Sequence, residues 1–550
     1  MRERKFKGMV FVLAAVALLA FTVPADRYFD IAKSLDIFAT LVKEINANYV
    51  DEVDPKKLID TGINGMLEQL DPYTDYIPKE SLEAFSIQTT GEYAGIGALV
   101  GLINHKTVIT NPYVGFPAHR AGIRVGDELI SVDEKNVQGK PTAESSALLK
   151  GVPQTEVDVE IKRYGEAENL KFKLVREKIK ISNVTYQGLI DKDLGYIKLD
   201  EFTPGAGREV AEAVIKLKAQ GVVNLILDLR DNPGGSLYEA VNIVNIFIPK
   251  GKEVVSTRGK AQESNKSYAT LNNPIDTEIP LTILVSGGSA SASEIVAGSL
   301  QDYDRALLVG QRTFGKGLVQ TTRQLAYDAQ LKITTAKYYI PSGRCIQALD
   351  YAHRHIDGSV TKFPDSIKRE FKTKAGRKVY DGAGLDPDLP TKSETLATPT
   401  VELISSGLIF DYASKYCGEH RSVPESMKSF NLSESEYEQF VTWVKGQNFF
   451  YISELEHKVE AVITSAKSEK HFDQLQTSLS ELKSKVVAAH SNDFTYFKTE
   501  IARALEQEIA FHYRLVQGQI DVSLNKDTEI LAAKKLLADQ VRYKQLLSHQ

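Results

Sequence analysis

The stretch PLTILVSGGSASASEIVAGSLQDYDRALLVGQRTFGKGLVQ, residues 280–320, joins an apolar run to a cluster of glycines and serines. A continuous apolar run of this length predicts a buried strand, and the glycines and serines after it are typical of a turn into a helix N-terminus. A second apolar run, ALLVG at 306–310, follows the helical part. This order of strand, turn, helix and strand predicts a sheet covered by helices on both faces.

Similar units lie on both sides of this stretch. The strand LGYIKLDEF at 194–202 precedes a helix with one apolar face, and VVNLILDL at 222–229 leads into the turn RDNPGG and a further helix. The predicted strand QLKITTAKYYIP closes the series, and GLDPDLP at 384–390 marks its exit. Residues 194–350 are therefore expected to form an α/β unit.

Length and composition restrict the class of protein. A chain of 550 residues exceeds one compact core, and 42% hydrophobic with 25% charged residues is ordinary for a globular protein. The net charge of -5 gives no nucleic-acid footprint. Cys345 and Cys417 are expected to be free thiols, and the pair His353 and His355 is too isolated for a metal site. We therefore expect neither a metal nor a cofactor.

The first 25 residues differ from the rest. Several basic residues precede an apolar run from Met9 to Val23, with Ala25 just after it. Fifteen apolar residues are short for a membrane span, and this layout is typical of a secretory signal. An uncleaved N-terminal anchor is the alternative reading. Either reading predicts an exported protein, periplasmic or anchored on the outer side of the inner membrane.

The two ends of the remaining chain are predicted to be helical. Residues 27–88 carry apolar side chains at helical spacing and end at LDPYTDYIP, where prolines and aspartates break a helix. In the C-terminal region, Ser433 and Glu436 fit a capping box. An apolar stripe with helical period is formed there by Leu475, Leu479, Leu482 and Val486. Such a stripe indicates core or partner contact, and we expect it to support self-association, such as a homodimer.

Residues between the N-terminal helices and the α/β unit have a pattern of short strands and turns. The segments are GEYAGIGALVG at 91–101, GFPAHRAGIRVGDELISVDEKNV at 115–137, the helix-like TAESSALLKG and the alternating EVDVEIKRYG. Their succession resembles a PDZ domain. The resemblance implies a loop of Gly95, Ile96, Gly97 and Ala98 whose N–H groups receive a peptide's terminal carboxylate. The peptide then adds as a strand to the sheet edge.

The opening stretch offers the parts of a serine nucleophile. A serine at a helix N-terminus lies beside unpaired N–H groups that suit an oxyanion, and Ser289, Ser291 and Ser293 are all candidates. The α/β unit contains no histidine, so Lys316 is the candidate base. Gln320 lies four residues further on. Because an amide is uncharged, it would not raise the pKa of a lysine that must be neutral.

Residues 27 to about 390 resemble the carboxyl-terminal processing peptidases, also called tail-specific proteases. The resemblance is carried, in order, by LDPYTDYIP, GYIKLDEF, LDLRDNPGG, SGGSASASEIVAGSLQDYDRALLVGQRTFGKGLVQ and LKITTAKYYIPSGRCIQ. It implies a serine endopeptidase that acts through a Ser/Lys dyad and an acyl-enzyme. The family pattern places the nucleophile at Ser291, the general base at Lys316 and its orienting partner at Gln320.

The same resemblance implies an oxyanion hole and a further acidic residue. The oxyanion donors would be the N–H of Ala292 and that of Gly234 or Gly235. Asp302 matches an acidic position that is sometimes counted with the catalytic residues. Helix capping, or pairing with Arg305, is the alternative interpretation of Asp302, and we favour it.

Together these patterns predict a multidomain α+β protein with a crotonase/ClpP-like α/β protease core, an inserted PDZ β-sandwich or barrel, and helical ends. The expected segments are a signal or anchor at 1–25, helices at 27–88, PDZ at 89–178, protease core at 179–393 and helices at 394–550. The expected partners are proteins or peptides with accessible C-termini, and the PDZ domain is expected to gate the active site. Two alternatives are a non-catalytic PDZ scaffold and a retinoid- or lipid-binding relative; the intact PDZ segment disfavours the latter.

Overall fold

The computed structural model describes residues 25–351, 353–355, 359–364, 366, 368–447 and 449–548. The signal or anchor expected at residues 1–25 lies, except for its last residue, outside the described residues. Within the described ranges, no helix combines the length and the hydropathy needed to cross a membrane. The described chain divides into two compact units. One consists of residues up to Lys79 with 320–334, and the other of the remaining described residues.

The first unit contains helices α1 (Ala25–Asn48) and α2 (Pro55–Glu68) and the strand β1 (Asp75–Ile77). Asp54 caps α2, and proline follows at the first helical position, where its missing N–H has no cost. After α2, the Asp71 carboxylate accepts hydrogen bonds from the N–H groups of Tyr73 and Thr74 at 2.8 and 2.9 Å. This turn ends the helical segment as predicted and leads into β1, which pairs antiparallel with residues 330–332.

The segment that resembles a PDZ domain forms an antiparallel sheet. Its elements are α3 (Leu82–Thr90), β2 (Glu92–Gly95), β3 (Ala98–Ile103), β4 (Lys106–Pro112), α4 (Pro117–Arg120), β5 (Glu128–Val132), β6 (Lys135–Asn136), α5 (Thr142–Leu149), β7 (Glu156–Lys162), β8 (Leu170–Val175) and β9 (Glu177–Lys180). The strand order is β3-β4-β5-β7-β8, with β6 beside β5. Strand β2 pairs with β9, so the two ends of the segment lie side by side, as an inserted domain requires.

The α/β unit has two larger sheets and a two-stranded one within residues 370–380. Its elements are β10 (Val184–Leu189), β11 (Leu194–Leu199), α6 (Ala206–Ala219), β12 (Asn224–Asp228), α7 (Leu237–Phe247), β13 (Glu253–Gly259), β14 (Lys266–Ala269), β15 (Leu281–Val285), α8 (Ala292–Asp302), β16 (Leu307–Gly310), β17 (Leu318–Gln324), β18 (Gln330–Tyr339), β19 (Glu370–Lys372), β20 (Lys378–Tyr380) and β21 (Leu389–Pro390). The main sheet has the order β10-β11-β12-β15-β16-β21 and is parallel except for β10.

The last two segments of the predicted series have strand partners that the sequence did not indicate. The segment QLKITTAKYYIP forms β18, as predicted, and its second half pairs with β13, outside the main sheet. GLDPDLP, predicted to mark the exit, ends in β21, the edge strand of the main sheet beside β16. The sequence shows each strand but not its neighbour, since pairing depends on the path of the chain between strands.

Both faces of the main sheet are covered by helices, as the apolar strands predict. In β12, Leu225 and Leu227 pack with α6, α7 and α8 on one face. Ile226 points to the opposite face, as the two-residue period of a strand dictates. That second face is covered by Leu524 and by two helices at the C-terminal end of the chain, α16 (Thr528–Ala538) and α17 (Gln540–Ser548). The C-terminal helices therefore complete the core of the α/β unit.

The rest of the C-terminal region is helical, as predicted. It contains α9 (Thr398–Ser405), α10 (Leu408–Glu419), α11 (Glu434–Gly446), α12 (Glu454–Ser468), α13 (Phe472–Ala489), α14 (Asp493–Tyr496) and α15 (Lys498–Ser523). The capping box of Ser433 and Glu436 is present at the start of α11. In the predicted stripe on α13, Leu479 and Val486 are buried against α12, whereas Leu475 and Leu482 are 44% and 46% exposed. Half of the stripe thus has its partner within the chain.

The PDZ segment contacts the C-terminal helices. A Cβ atom at Gly126 would lie 2.2 Å from the hydroxyl oxygen of Ser414 on α10. The Asn104 amide, at the tip of the β3–β4 hairpin, donates to the Asp411 carboxylate at 2.6 Å. Arg421 forms an ion pair of 3.1 Å with Glu166. The C-terminal region therefore packs against the PDZ sheet as well as the main sheet.

The cover on the second face predicts a sharp difference between two leucine truncations. Leu537→Ala removes a buried side chain between α16 and the sheet, so we expect the free energy of unfolding to fall by about 2–5 kcal/mol. Leu482→Ala, on the exposed side of α13, should change it by less than about 0.5 kcal/mol. Urea unfolding followed by tryptophan fluorescence and circular dichroism measures both. Equal effects of the two substitutions would show that α16 is not part of the core.

Candidate active site

The three central serines where β15 leads into α8 differ in burial and in hydrogen bonding. Ser289 and Ser293 are fully buried, and their hydroxyls donate to the carbonyl oxygens of Leu229 and Asn232 at 2.7 and 2.9 Å. Ser291 lies between them and is only half-buried. Two of the serines are therefore committed to tying this loop to the RDNPGG turn. The geometry favours Ser291 as the reactive serine.

Ser291 is the N-cap of α8 and has an unusual backbone. Its φ of 56° and ψ of -112° lie in a region that residues with a Cβ rarely adopt. Strain of this kind persists only where surrounding contacts impose it, and it is frequent at active sites. The next residue, Ala292, begins the helix, so its N–H has no partner within the helix. An anion in front of Ser291 would meet that N–H and the positive end of the helix dipole.

The RDNPGG turn lies directly against this serine. A Cβ atom at Gly234, where φ is +97°, would lie 2.7 Å from the Ala290 carbonyl oxygen and 2.8 Å from the Ala292 nitrogen. Only glycine permits so close an approach. The Gly234 N–H already donates to the Asn232 side chain at 2.9 Å. Of the two glycines left open by the sequence, Gly235 is therefore the better candidate for an oxyanion donor.

A buried carboxylate joins the serine loop to the lysine loop. The Oε2 atom of Glu294, in the first turn of α8, accepts hydrogen bonds from the N–H groups of Ser291 and Lys316, both at 2.9 Å. Its Oε1 atom accepts from the Thr313 hydroxyl at 2.5 Å and the Gly315 N–H at 2.8 Å. Burial raises the pKa of Glu294 to about 7, although these four donors oppose the rise.

The carbonyl groups of the same two residues share a second partner. The phenolic oxygen of Tyr338, at the end of β18, lies 2.5 Å from the Lys316 carbonyl oxygen and 3.1 Å from that of Ser291. On either side of the lysine, Gly315 accepts from the Ala348 N–H at 2.9 Å and Gly317 donates to the Gln347 side chain at 2.8 Å. The main chains of Ser291 and Lys316 are thus fixed by common contacts.

Gln320 lies on β17, in the first compact unit. Its side-chain amide donates to the hydroxyl of Thr334 on β18 at 3.1 Å. Its orienting role beside Lys316 stays a prediction from the family pattern.

Asp302 differs from both roles that the sequence suggested. It is the last residue of α8, and a helix of this length separates it from Ser291 by roughly 15 Å. Its buried carboxylate accepts from the Arg344 guanidinium at 2.8 Å and from the Ser342 N–H at 2.9 Å. Arg305 instead donates to backbone carbonyls, so the expected pairing with Arg305 is wrong. Asp302 holds the segment after β18 and does not contact the serine.

The predicted peptide-binding loop lies between β2 and β3 of the PDZ segment. The Ile96 side chain is buried, and its carbonyl accepts from the Ala118 N–H at 2.9 Å. Gly97 has φ of +74°, and a Cβ atom there would lie 2.4 Å from the Cβ of Phe116. The loop is therefore held by α4 and its flanking turn. Among the residues that the structure describes, no three His, Cys, Asp or Glu side chains are close enough to hold a metal ion.

Sequence reasoning missed Glu294 and Tyr338. Glu294 had a readable signal, because Ser291 and Glu294 have the Ser-x-x-Glu spacing of a capping box. Tyr338 had none, since its contacts join residues 22 and 47 positions away.

Comparison with known proteins assigns four consecutive parts of the chain. The matching family models are the activating protease CtpB N-terminal domain at residues 25–81, the PDZ domain at 108–163, peptidase family S41 at 193–352 and the probable PDZ-protease C-terminal helical domain at 399–537. The presence of a PDZ domain supports binding of peptide substrates. Ser291 and Lys316 both lie in the S41 part.

Named relatives agree with these models. The chain is 35% identical over 348 residues to a carboxy-terminal-processing protease of Bartonella bacilliformis, a match that covers 62% of this chain and 80% of the relative. It is 37% identical over 346 residues to a probable CtpA-like serine protease of Staphylococcus aureus, covering 62% of this chain and 68% of the relative. A solved structure, a photosystem II D1 C-terminal processing protease, is 26% identical with a TM-score of 0.35 and covers 69% of this chain and 97% of that one.

These matches lie on the segments whose geometry is described above. The Bartonella protein is matched over four fifths of its length, and the S41 model spans both the serine loop and the lysine loop. The chain therefore belongs to the carboxy-terminal-processing protease family and is a serine-type peptidase of family S41.

Proposed function

We propose that this peptidase is exported, binds unstructured C-terminal tails through its PDZ domain, and cleaves peptide bonds with a Ser291–Lys316 dyad. The observation that carries the proposal is the Glu294 carboxylate, whose Oε2 atom accepts the N–H groups of both residues. One buried side chain thereby links the two loops that the reaction needs. Export is supported by the basic and apolar pattern of residues 1–25.

In the proposed reaction, Lys316 is neutral and takes the proton of the Ser291 hydroxyl as the oxygen attacks the scissile carbonyl. The tetrahedral oxyanion is stabilised by the N–H groups of Ala292 and Gly235. Lys316 then gives its proton to the departing amine, which leaves an ester on Ser291. A water molecule, deprotonated by the same lysine, hydrolyses that acyl-enzyme. Gln320 orients the lysine in this scheme, as the family pattern implies.

The protonation state of Glu294 makes the site depend on pH. Its ionised carboxylate can accept all four hydrogen bonds, whereas the protonated acid must turn one donor away. The native state raises its pKa from 4.5 to about 7, so the native state binds this proton more tightly than the unfolded chain does. The associated stability is present below pH 4.5 and is lost as the pH rises to about 7. The ionised form, which can accept all four hydrogen bonds, predominates only above a pH of about 7.

The dyad predicts a specific set of losses. Ser291→Ala should abolish cleavage, because the attacking oxygen is gone. Lys316→Arg should also be inactive, since a guanidinium stays protonated and cannot accept the serine proton. Gln320→Ala should be milder, because it removes orientation and not the acceptor. Cleavage of an unstructured protein with an apolar C-terminus tests all three, with folding checked by circular dichroism. Wild-type turnover by a folded Lys316→Arg protein would refute the dyad.

Glu294→Gln should lower kcat by roughly 10²-fold. The amide has one acceptor oxygen, so in either orientation its NH₂ group faces at least one N–H donor, that of Gly315 or those of Ser291 and Lys316. In the wild type, we expect the free energy of unfolding to fall by about 3 kcal/mol between pH 4.5 and 7 as Glu294 ionises. The Glu294→Gln protein should not show this fall. Thermal unfolding and turnover measured across this pH range provide the test. The control is Glu212→Gln on the exposed face of α6, which should match the wild type.

Failure of either part has a clear meaning. A Glu294→Gln protein with wild-type kcat would show that the shared carboxylate does not hold the reacting residues. If the stability of the Glu294→Gln protein has the same pH dependence as that of the wild type, Glu294 is ionised throughout the range from pH 4.5 to 7.

The PDZ loop predicts recognition of the substrate's terminal carboxylate. A substrate whose C-terminus is amidated should have a KM about tenfold higher than the free acid, because an amide cannot accept the loop N–H groups as an anion does. Gly97→Ala should abolish that difference, since its added Cβ would collide with Phe116 and displace the loop. Steady-state kinetics with the paired substrates measures both effects. Equal KM values for acid and amide in the wild type would contradict carboxylate capture.

A further inference from the structure

The C-terminal part of the chain contacts the α/β unit at Arg230, four residues before Gly234 of the RDNPGG turn. Asp527, the N-cap of α16, accepts a hydrogen bond of 2.8 Å from Nη1 of Arg230, the first residue of that turn. Glu529, in the first turn of the same helix, accepts from the same nitrogen. These residues lie 297 and 299 positions after the arginine. Nothing in the local sequence connects them.

The other side of the guanidinium is bound by the sheet. Nε and Nη2 of Arg230 donate to the fully buried carboxylate of Asp228 at the end of β12, at 3.0 and 2.6 Å. Every guanidinium nitrogen is therefore used, and the group is clamped between β12 and α16. Its side chain is only 13% exposed, so water and salt screen these ion pairs weakly.

The main chain of Arg230 is fixed as well. Its N–H donates to Asp228 at 2.8 Å, and its carbonyl accepts from the Lys198 ammonium at 2.7 Å. Glu529 has a second contact with the sheet, because its Oε1 atom accepts from the Gln311 amide at 2.5 Å just after β16. The start of the turn is thus held by groups from β11, β12 and α16, and α16 is itself bound to the residue after β16.

Two carboxylates of this cluster come from the C-terminal helix. Asp228 pairs with both Lys198 and Arg230, and Asp200 lies 3.6 Å from the Lys198 ammonium. Asp527 and Glu529 are the carboxylates that bind Nη1 of Arg230. A polar cavity of about 430 Å³ adjoins the cluster, and Lys198, Arg230, Asp527 and Glu529 are among its lining residues. Removing the two carboxylates would release Nη1 from α16 and let the guanidinium shift towards this cavity.

We infer that Asp527 and Glu529 are positioning residues for the reaction: through Arg230, they set where the turn presents its oxyanion donor, Gly235. Helix α16 is then part of the catalytic unit and not only a cover for the sheet. This inference rests on the proposed function, because it takes Gly235 to stabilise the oxyanion.

The test uses the full chain with Asp527→Asn and Glu529→Gln combined. We expect kcat to fall by about 10–100-fold with KM within twofold, since the donor shifts but the PDZ loop does not. Phosphonylation of Ser291 by a fluorophosphonate should slow by a similar factor, because its phosphoryl oxygen needs the same donors. The control is Lys534→Ala on the same helix. It removes an exposed ion pair between Lys534 and Asp191 and should leave kcat unchanged.

A second variant guards against loss of the fold. Glu529→Asp keeps the charge but shortens the side chain by one methylene, so it should preserve the melting temperature and lower kcat by several-fold. Wild-type kcat in both the double variant and Glu529→Asp would overturn the inference. An equal fall in kcat in Lys534→Ala, with KM unchanged, would also overturn it. The effect would then come from the packing of α16 on the sheet and not from the two carboxylates.

The two proposals fail in different ways. If Ser291→Ala retains cleavage and still reacts with the fluorophosphonate, the proposed dyad is wrong. If Ser291→Ala is inert while the double variant has wild-type kcat and phosphonylation rates, the dyad stands and only the role of Asp527 and Glu529 is refuted.

Discussion

The catalytic centre depends on one buried carboxylate. Glu294 lies in a helix whose residues are all buried, yet both of its oxygens are occupied by donors from two separate loops. An ionised carboxylate without partners in such a place would be strongly destabilising, so its charged form needs these hydrogen bonds. They tie the main chains of Ser291 and Lys316 to one side chain. Ser291, whose N–H is one of these donors, is also the residue with the unusual backbone.

The main sheet supports the loops of the candidate site at one edge. Its carboxyl-terminal edge supports the RDNPGG turn after β12 and the serine loop after β15, which is where open α/β sheets form their sites. One face of the sheet is covered by α6, α7 and α8, and the other by helices from the end of the chain. Because α16 also ion-pairs with Arg230, the same helix contributes to the core and reaches the edge of the site. Core packing and the start of the RDNPGG turn therefore share one helix.

The sequence by itself determined most of the elements and the family, and it predicted the chemistry. Continuous apolar runs identified the buried strands, and alternating residues identified β7 of the PDZ segment, because burial on one or two faces leaves a direct mark on composition. The missing histidine in residues 194–350 pointed to Lys316 as the base. Ordered motifs such as LDLRDNPGG indicated the family. These conclusions are accessible because they depend on residues close together in the chain.

Only the tertiary structure decided which residues meet. It separated Ser291 from Ser289 and Ser293 by burial and hydrogen bonding, and it engaged the N–H of Gly234 with Asn232. It paired Asp302 with Arg344 and not with Arg305, and it laid the C-terminal helices on the sheet. Except for the local bond between Gly234 and Asn232, these contacts join segments far apart in sequence. Their formation depends on how strands and helices pack around a common core, and periodicity within a segment contains no information about its distant neighbour.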